Sequence, residues 1–338
     1  MATPKFFYEL TFSSSPHAHS KHTTQTLMRD VLIALCPALI CAVYFFGFRA
    51  LTLTAVSVAA CMFFEWGYRK VMKRDDTVYD LSAAVTGVLL AFVCPVSIPY
   101  WALIIGDAFA IIVVKQLFGG IGKNIMNPAL AARAFLMAAY STLMVKWTAA
   151  GSWVSVLMPT QEALDAVSTA TPLAQMSTGS LPNASLQELF LGKIGGCLGE
   201  TSVIALLIGF VYLLIRKVIS PRIPVVFVGT VAVLTFLFPQ GGADRVAWML
   251  NQILSGGLML GAIFMATDYV TSPVTKWGQV VYAVGCGGLT VLIRYFGAYP
   301  EGVSFAILIM NACVGMFDKI GVPTKFGAPA KKKKEGGK

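Results

Sequence analysis

Charged residues make up only 12% of the chain, against 57% hydrophobic ones. That scarcity excludes an ordinary soluble globular domain, in which roughly a quarter of the residues are charged. Histidine is nearly absent, and His17, His19 and His22 all precede the first apolar run. With no histidine at membrane depth a bis-histidine haem is excluded, and those three alone make a weak metal site. Cysteine is present but never in C-x-x-C spacing: Cys36, Cys41, Cys61, Cys94, Cys197, Cys286 and Cys313 all lie in or at the edge of apolar stretches. This argues against a disulfide framework and against an iron–sulfur cluster held by this chain alone, and for small packing residues in helices. Nucleotide-binding loops are missing too. The glycine turn at Gly119, Gly120 and Gly122 runs into Lys123 and Asn124, which is neither a Walker A loop nor the G-x-G-x-x-G order.

What the chain has is apolar length. Hydrophobic segments fall at about 27–46, 50–68, 80–95, 99–115, 128–145, 198–215, 223–238, 246–266, 277–295 and 301–317. A helix needs ~20 residues to cross a bilayer, so these predict an all-α polytopic membrane protein with about ten transmembrane helices. The formal net charge of +10 would suggest nucleic acid in a soluble chain. Here the basic residues sit between apolar runs and at the C-terminus, so they set topology, and no nucleic-acid partner is expected. With the N-terminus cytoplasmic, one side collects Arg69, Lys70, Lys73, Arg74, Lys115, Lys123, Arg216, Lys217, Arg222, Lys276, Lys319, Lys325 and the run Lys331 to Lys334. The other side holds only Arg49, Lys146, Lys193, Arg245 and Arg294. The asymmetry predicts a bacterial cytoplasmic (inner) membrane protein with both termini inside. No removable signal peptide is expected in the polar start.

The organisation that follows is a cytoplasmic N-terminal segment 1–26, a five-helix repeat 27–145, an outer loop 146–197, a second five-helix repeat 198–317 and a basic cytoplasmic tail 318–338, whose lysines are also suited to anionic membrane lipids. The repeat rests on the likeness of the stretch Leu81 to Phe92 to that from Leu254 to Phe264, and on a similar offset carrying Pro128 onto Pro300. An odd number of helices per copy inverts the second, and inverted repeats place a binding site where the copies meet. Each copy has an interrupted stretch, Cys94 to Pro99 and Ala266 to Pro273. Backbone groups freed there need an ion, a ligand or a neighbour.

Several polar residues are candidates for chemistry. Asp107 lies in the middle of the fourth segment and Arg133 about one turn into the fifth. A charge at membrane depth costs at least ~2.5 kcal/mol on insertion scales, so each needs a partner, a cavity or protonation. Asp107 is the candidate on the ion path. Asn124 and Asn127 carry amides able to pair with the edge of a heterocycle, although an asparagine before Pro128 also suits a helix cap. They and Arg133 are the candidate contacts of a bound cofactor. The outer loop carries Asp165, Ser168, Thr169 and Thr171 in a run of small hydroxyl and alanine residues, which alone reads as a flexible loop.

Taken together, Ser13 to His17, the stretch Gly119 to Phe135, Asp165 to Thr171 and Met265 to Asp268 resemble the family of the D subunit of the Rnf ion-translocating ferredoxin:NAD oxidoreductases. The same motifs are similar to those of the B subunit of the sodium-pumping NADH:quinone reductases. The resemblance implies a membrane electron-transfer subunit of a sodium- or proton-translocating complex. It further implies FMN bound through a phosphoester to Thr171, the residue closing the family's Asp-x-x-[Ser/Thr]-x-Ala-Thr motif, within which Asp165 and Ser168 fall. Thr169 stands where the family often has glycine. A second, noncovalent flavin, riboflavin, is implied as well, with other Rnf subunits as partners, a flavoprotein donor or acceptor among them. The rival expectation is a secondary transporter with inverted repeats and no redox cofactor. A structural scaffold is the third, and both rivals would lack flavin.

Overall fold

The computed structural model describes residues 23–151, 170–200, 202–242, 244–297 and 301–321. Asp165 and Ser168 therefore lie outside the described residues, as do Ser13 to His17 and the C-terminal lysine run. Every element among the described residues is helical, and no strand is formed there.

Helix α1, Thr24–Phe46, begins where Thr23 and Thr26 cap each other reciprocally. It ends at Gly47, whose φ of 78° opens the turn into α2, Phe48–Val71. Helix α3, Ser82–Phe92, is buried at every residue. An all-round apolar helix of this kind needs protein on every side. Helix α4, Tyr100–Ala108, continues as π-helical turns through Phe109–Gln116. Helix α5, Pro128–Ala139, closes the first half.

The second half opens with α6, Val203–Ile215, and α7, Arg222–Leu237. Helix α8, Arg245–Leu254, is followed by Leu258–Met265, a short helical turn passing into π-helical turns at Gly261–Met265. Helices α9, Lys276–Phe296, and α10, Val303–Ala312, complete it. Contacts join α1 to α6 and α5 to α10 across the halves, and one hydrophobic core runs through both.

Each predicted apolar segment contains a helix, but their lengths differ from ten full spans. Among the described residues, α1, α2 and α9 are each long and apolar enough to cross a bilayer. The pair Arg245–Leu254 and Leu258–Met265 passes that test together, bent by 63°. The other apolar helices are shorter, because glycine, proline and polar residues interrupt them. The bend at Ser255 to Gly257 is an interruption beyond the predicted one at Ala266 to Pro273.

The groups freed at these interruptions find neighbours. Arg49 donates from Nε to the carbonyl of Val96 at 2.8 Å and from Nη2 to that of Ile98 at 2.8 Å. The amides of Leu198 and Gly199 reach the carbonyls of Cys94 and Phe92 at 3.2 and 2.9 Å. Arg294 donates to the carbonyls of Gln252 at 2.6 Å and Ser255 at 3.2 Å. Both arginines are thus buried and bind backbone carbonyls, whereas the charge count assigns them to outer loops. Lys115, counted as a cytoplasmic loop charge, is also buried.

Candidate functional site

Two cavities and one isolated carboxylate draw the sequence candidates together. The smaller cavity is lined by Thr171, Gly195, Gly196, Glu200, Gly256 and Glu301, among others. Thr171 is the N-cap of the short helix Pro172–Met176, and its Oγ1 accepts from the amide of Ala174 at 3.2 Å. Proline at the first helical position fixes that start. Leu173 and Met176 pack on Trp248, whose indole N–H donates to the Tyr295 hydroxyl at 2.9 Å. Gly256 (φ +69°) makes the seat possible, since a Cβ there would stand 2.2 Å from Leu173 Cδ1. At Gly257 a Cβ would stand 2.4 Å from Glu200 Oε1. In the same connection between the halves, the Ser185 backbone N–H and then its hydroxyl hold the Glu188 carboxylate below its ordinary range.

Behind that cavity lies Arg133. Its Nη1 donates to Glu200 Oε1 at 3.0 Å and to Ser304 Oγ at 3.2 Å, and its Nη2 donates to Glu301 Oε2 and lies 3.6 Å from Cys197 Sγ. Donor atoms of Cys197, Glu200 and Glu301 lie within 4.8 Å of one another, a spacing compatible with a metal ion. The guanidinium already bridges the two carboxylates and neutralises one of their charges, so the set reads as an ion-pair core. Among the described residues, Glu200 Oε2 and Arg133 Nε have no hydrogen-bond partner.

The larger cavity lies where the halves meet, with α3, the end of α4, the start of α5 and Leu258–Met265 around it. Asn124 and Asn127 both line it. Asn127 caps α5, its Oδ1 accepting from the amides of Ala129 at 3.1 Å and Leu130 at 3.4 Å, while its Nδ2 donates to the Met265 carbonyl at 3.4 Å. Asn127 therefore both caps α5 and lines the cavity, and its amide ties α5 to the second half's interruption. Asn124 donates from Nδ2 to the Met126 carbonyl at 3.2 Å. Ser82, Lys115, Thr267 and Asp268 add polar atoms to a mostly apolar wall.

Asp107 belongs to neither cavity. It is fully buried, with Oδ1 2.6 Å from the Ser57 hydroxyl and 3.2 Å from Cys61 Sγ, and Oδ2 has no hydrogen-bond partner among the described residues. Arg133, grouped in the sequence with Asn124 and Asn127, turns instead to the carboxylates beside Thr171.

Sequence reasoning missed Glu65, Lys115, Glu200, Glu301 and Arg294. Glu65 stands inside the second apolar segment, where a carboxylate was itself a signal. It is 2.9 Å from Lys115 Nζ and buried with it. The partners Glu200 and Glu301 carry no signal of that kind, because they stand at segment ends and reach Arg133 across the fold.

The chain matches the NQR2, RnfD, RnfE family over residues 11–327. It is 46% identical over 329 residues to the D subunit of the Na(+)-translocating ferredoxin:NAD(+) oxidoreductase complex of Acetobacterium woodii, covering 96% of this chain and 97% of the relative. It is 39% identical to the D subunit of the proton-translocating ferredoxin:NAD(+) oxidoreductase complex of Clostridium ljungdahlii, covering 94% and 96%. To the D subunit of the ion-translocating oxidoreductase complex of Vibrio atlanticus it is 33% identical, covering 93% and 98%.

Proposed function

The chain belongs to the NQR2, RnfD, RnfE family, and from that premise we propose that it is the D subunit of an ion-translocating ferredoxin:NAD oxidoreductase complex. It is an integral membrane electron carrier with FMN joined to Thr171 by a phosphoester and riboflavin held without a covalent bond in the Asn124 cavity. Bound flavins supply one- and two-electron transfer, and this chain's residues bind, orient and shield them. The NAD and iron–sulfur chemistry belongs to partner chains, a flavoprotein subunit among them.

The observation that carries this reading is that one helix links both cavities. Asn127 caps α5 at the larger cavity, and Arg133, on the second turn a rise of roughly 9 Å away, binds the carboxylates that line the Thr171 cavity. Thr171 itself suits the linkage. Its oxygen serves as an acceptor in the cap, so loss of the hydroxyl hydrogen to an ester leaves an oxygen still facing the Ala174 amide. Because the residue is buried, attachment belongs to a stage before its helix docks on Gly256.

The larger cavity has the wall chemistry of a heterocycle site, apolar with a few convergent polar groups that come from both halves. The contacts of α1 with α6 and of α5 with α10 support two inverted five-helix halves of about ten spans, with some helices short or bent. The lysine and arginine asymmetry supports an inner-membrane orientation with both termini cytoplasmic and Thr171 on the outer face.

Acid denaturation of the purified chain tests the reading. One flavin should stay with the precipitated polypeptide and riboflavin should appear in the supernatant. A colourless chain, with no flavin in either fraction, would return the reading to a transporter.

A further inference from the structure

We propose that the end of α2 holds an anionic phospholipid, with an acyl chain in an apolar groove against α4's extension and the phosphate at the cluster of lysine and arginine just beyond it. The site is independent of both flavins.

Helix α2 is among the helices long and apolar enough to cross a bilayer. A groove runs along its last turns, lined by Phe63, Phe64, Gly67, Tyr68 and Val71 of α2 and by Ile112 of the π-helical turns. Phe63 and Val71 are 62% and 80% exposed, so the groove opens outward and not into the bundle. At Gly67 a built Cβ would meet nothing within 4 Å. Glycine weakens a helix interior, and nothing among the described residues requires one here. In a spanning helix a small residue lets an apolar group approach the backbone closely.

The residues beside the groove mark its depth. Phe63 packs on Trp66 with ring centroids 6.2 Å apart, and Lys70 Nζ lies 4.6 Å from the Trp66 ring centroid. Tryptophan gathers where hydrocarbon meets headgroups, and lysine carries its charge out to that level along an apolar stem. The groove therefore ends at the level of a lipid phosphate.

The charge at that end is positive. Arg69, Lys70, Lys73, Arg74 and Lys123 outnumber Asp75, Asp76 and Asp80. Lys123 belongs with them, because its Cδ stands against Gly119 and the Arg69 guanidinium against Gly120, the next residue. Two of the acids are turned to backbone, Asp76 accepting from the amide of Val78 at 3.0 Å and Asp80 from that of Ser82 at 2.8 Å. Glu65 and Lys115 neutralise each other inside the bundle. Lys70, Lys73 and Arg74 are exposed, and no carboxylate among the described residues forms an ion pair with them. A partner's transmembrane helix would fill the groove and leave these cations unanswered, whereas an anionic phospholipid answers both the groove and the charge.

The test uses the whole complex in detergent with a trace of phosphatidylglycerol carrying a photoreactive group on its acyl chain. After illumination, mass spectrometry counts adducts on the peptide from Phe63 to Met72, with unlabelled phosphatidylglycerol or phosphatidylcholine as competitor. Each basic residue near a membrane surface favours anionic lipid by about fivefold. In wild type, phosphatidylglycerol should therefore compete about twentyfold better than phosphatidylcholine, and Lys70→Gln with Lys73→Gln should bring the two lipids within about threefold. Gly67→Leu fills the groove and leaves every charge in place, so adducts on this peptide should fall about tenfold while those elsewhere on the complex stay unchanged. The lysine pair alters exposed side chains only, so it remains decisive even if Gly67→Leu disturbs assembly. Equal competition by the two lipids in wild type means an ordinary lipid contact only and overturns the proposal, as do undiminished adducts in Gly67→Leu. A wild-type complex without adducts on this peptide means that a partner chain covers the groove, and overturns it too.

Discussion

At the scale of single residues, both stability and chemistry turn on charges placed where water is absent. Arg133 is the counter-charge for both Glu200 and Glu301, so Arg133→Met leaves two carboxylates buried together. Breaking a buried pair in this way costs about 3–5 kcal/mol. Thermal unfolding in detergent should show a large loss for Arg133→Met and a smaller one for Glu301→Gln, which removes one charge and keeps the hydrogen-bonding shape. Asp107 has a different surrounding, in which a hydroxyl and a thiol donate to its carboxylate. If it serves the ion path, Asp107→Asn slows redox-driven ion uptake into vesicles while the flavin content stays at the wild-type level, and unchanged uptake assigns it a structural role. Arg133 and Asp107 stood out in the sequence because a charge inside an apolar run needs a partner, a cavity or protonation, and for Arg133 the structure shows the structural ion pair. Their partners did not stand out, since Glu301 meets Arg133 from 168 positions away and nothing local marks the meeting.

At the scale of elements, the interruptions are as telling as the helices. Pro95 and Pro99 made Cys94 to Pro99 visible as a break, and the structure supplies what the sequence did not, the side chain that accepts the cost. Arg49 satisfies two carbonyls there, and each buried acceptor left bare costs about 1–3 kcal/mol. Arg49→Met should therefore lower the unfolding temperature more than replacement of an exposed arginine such as Arg222. The break at Ser255 to Gly257 was missed in the sequence although Ser-Gly-Gly is a turn signal, because the stretches on either side are apolar. Its glycine is nonetheless exacting: Gly256 adopts a left-handed φ and admits Leu173, so Gly256→Ala meets both strain and a clash. We expect it to destabilise the protein by about 1–3 kcal/mol and to raise proteolysis between α5 and α6, because the Thr171 helix loses its seat. A Gly256→Ala variant as stable and as protease-resistant as wild type would show that the helix has no such seat.

At the scale of the whole molecule, the charge pattern argues for an orientation, with a set of residues that the structure then reduces. Arg49, Arg294, Lys115 and Arg69 are inside the protein, and removing all four from the count leaves each side poorer by two basic residues. The asymmetry survives its own correction. A cysteine at Ser180, an exposed position, should react with an impermeant maleimide from outside the cell, and one at Gly336 should not, in a background lacking Cys36, Cys41 and Cys313. The reverse pattern would invert the molecule and remove Thr171 from the outer face. The central claim is nearer the chemistry than that. A phosphoester survives detergent denaturation, whereas a flavin held by stacking and hydrogen bonds leaves when the fold does. In-gel fluorescence of the full chain, made in a host with flavin transferase activity, tests this directly. The wild-type band should fluoresce under ultraviolet light, Ser168→Ala should remain bright and Thr171→Ala should be dark. A dark wild-type band, or a Thr171→Ala band as bright as wild type, would contradict the covalent attachment at Thr171.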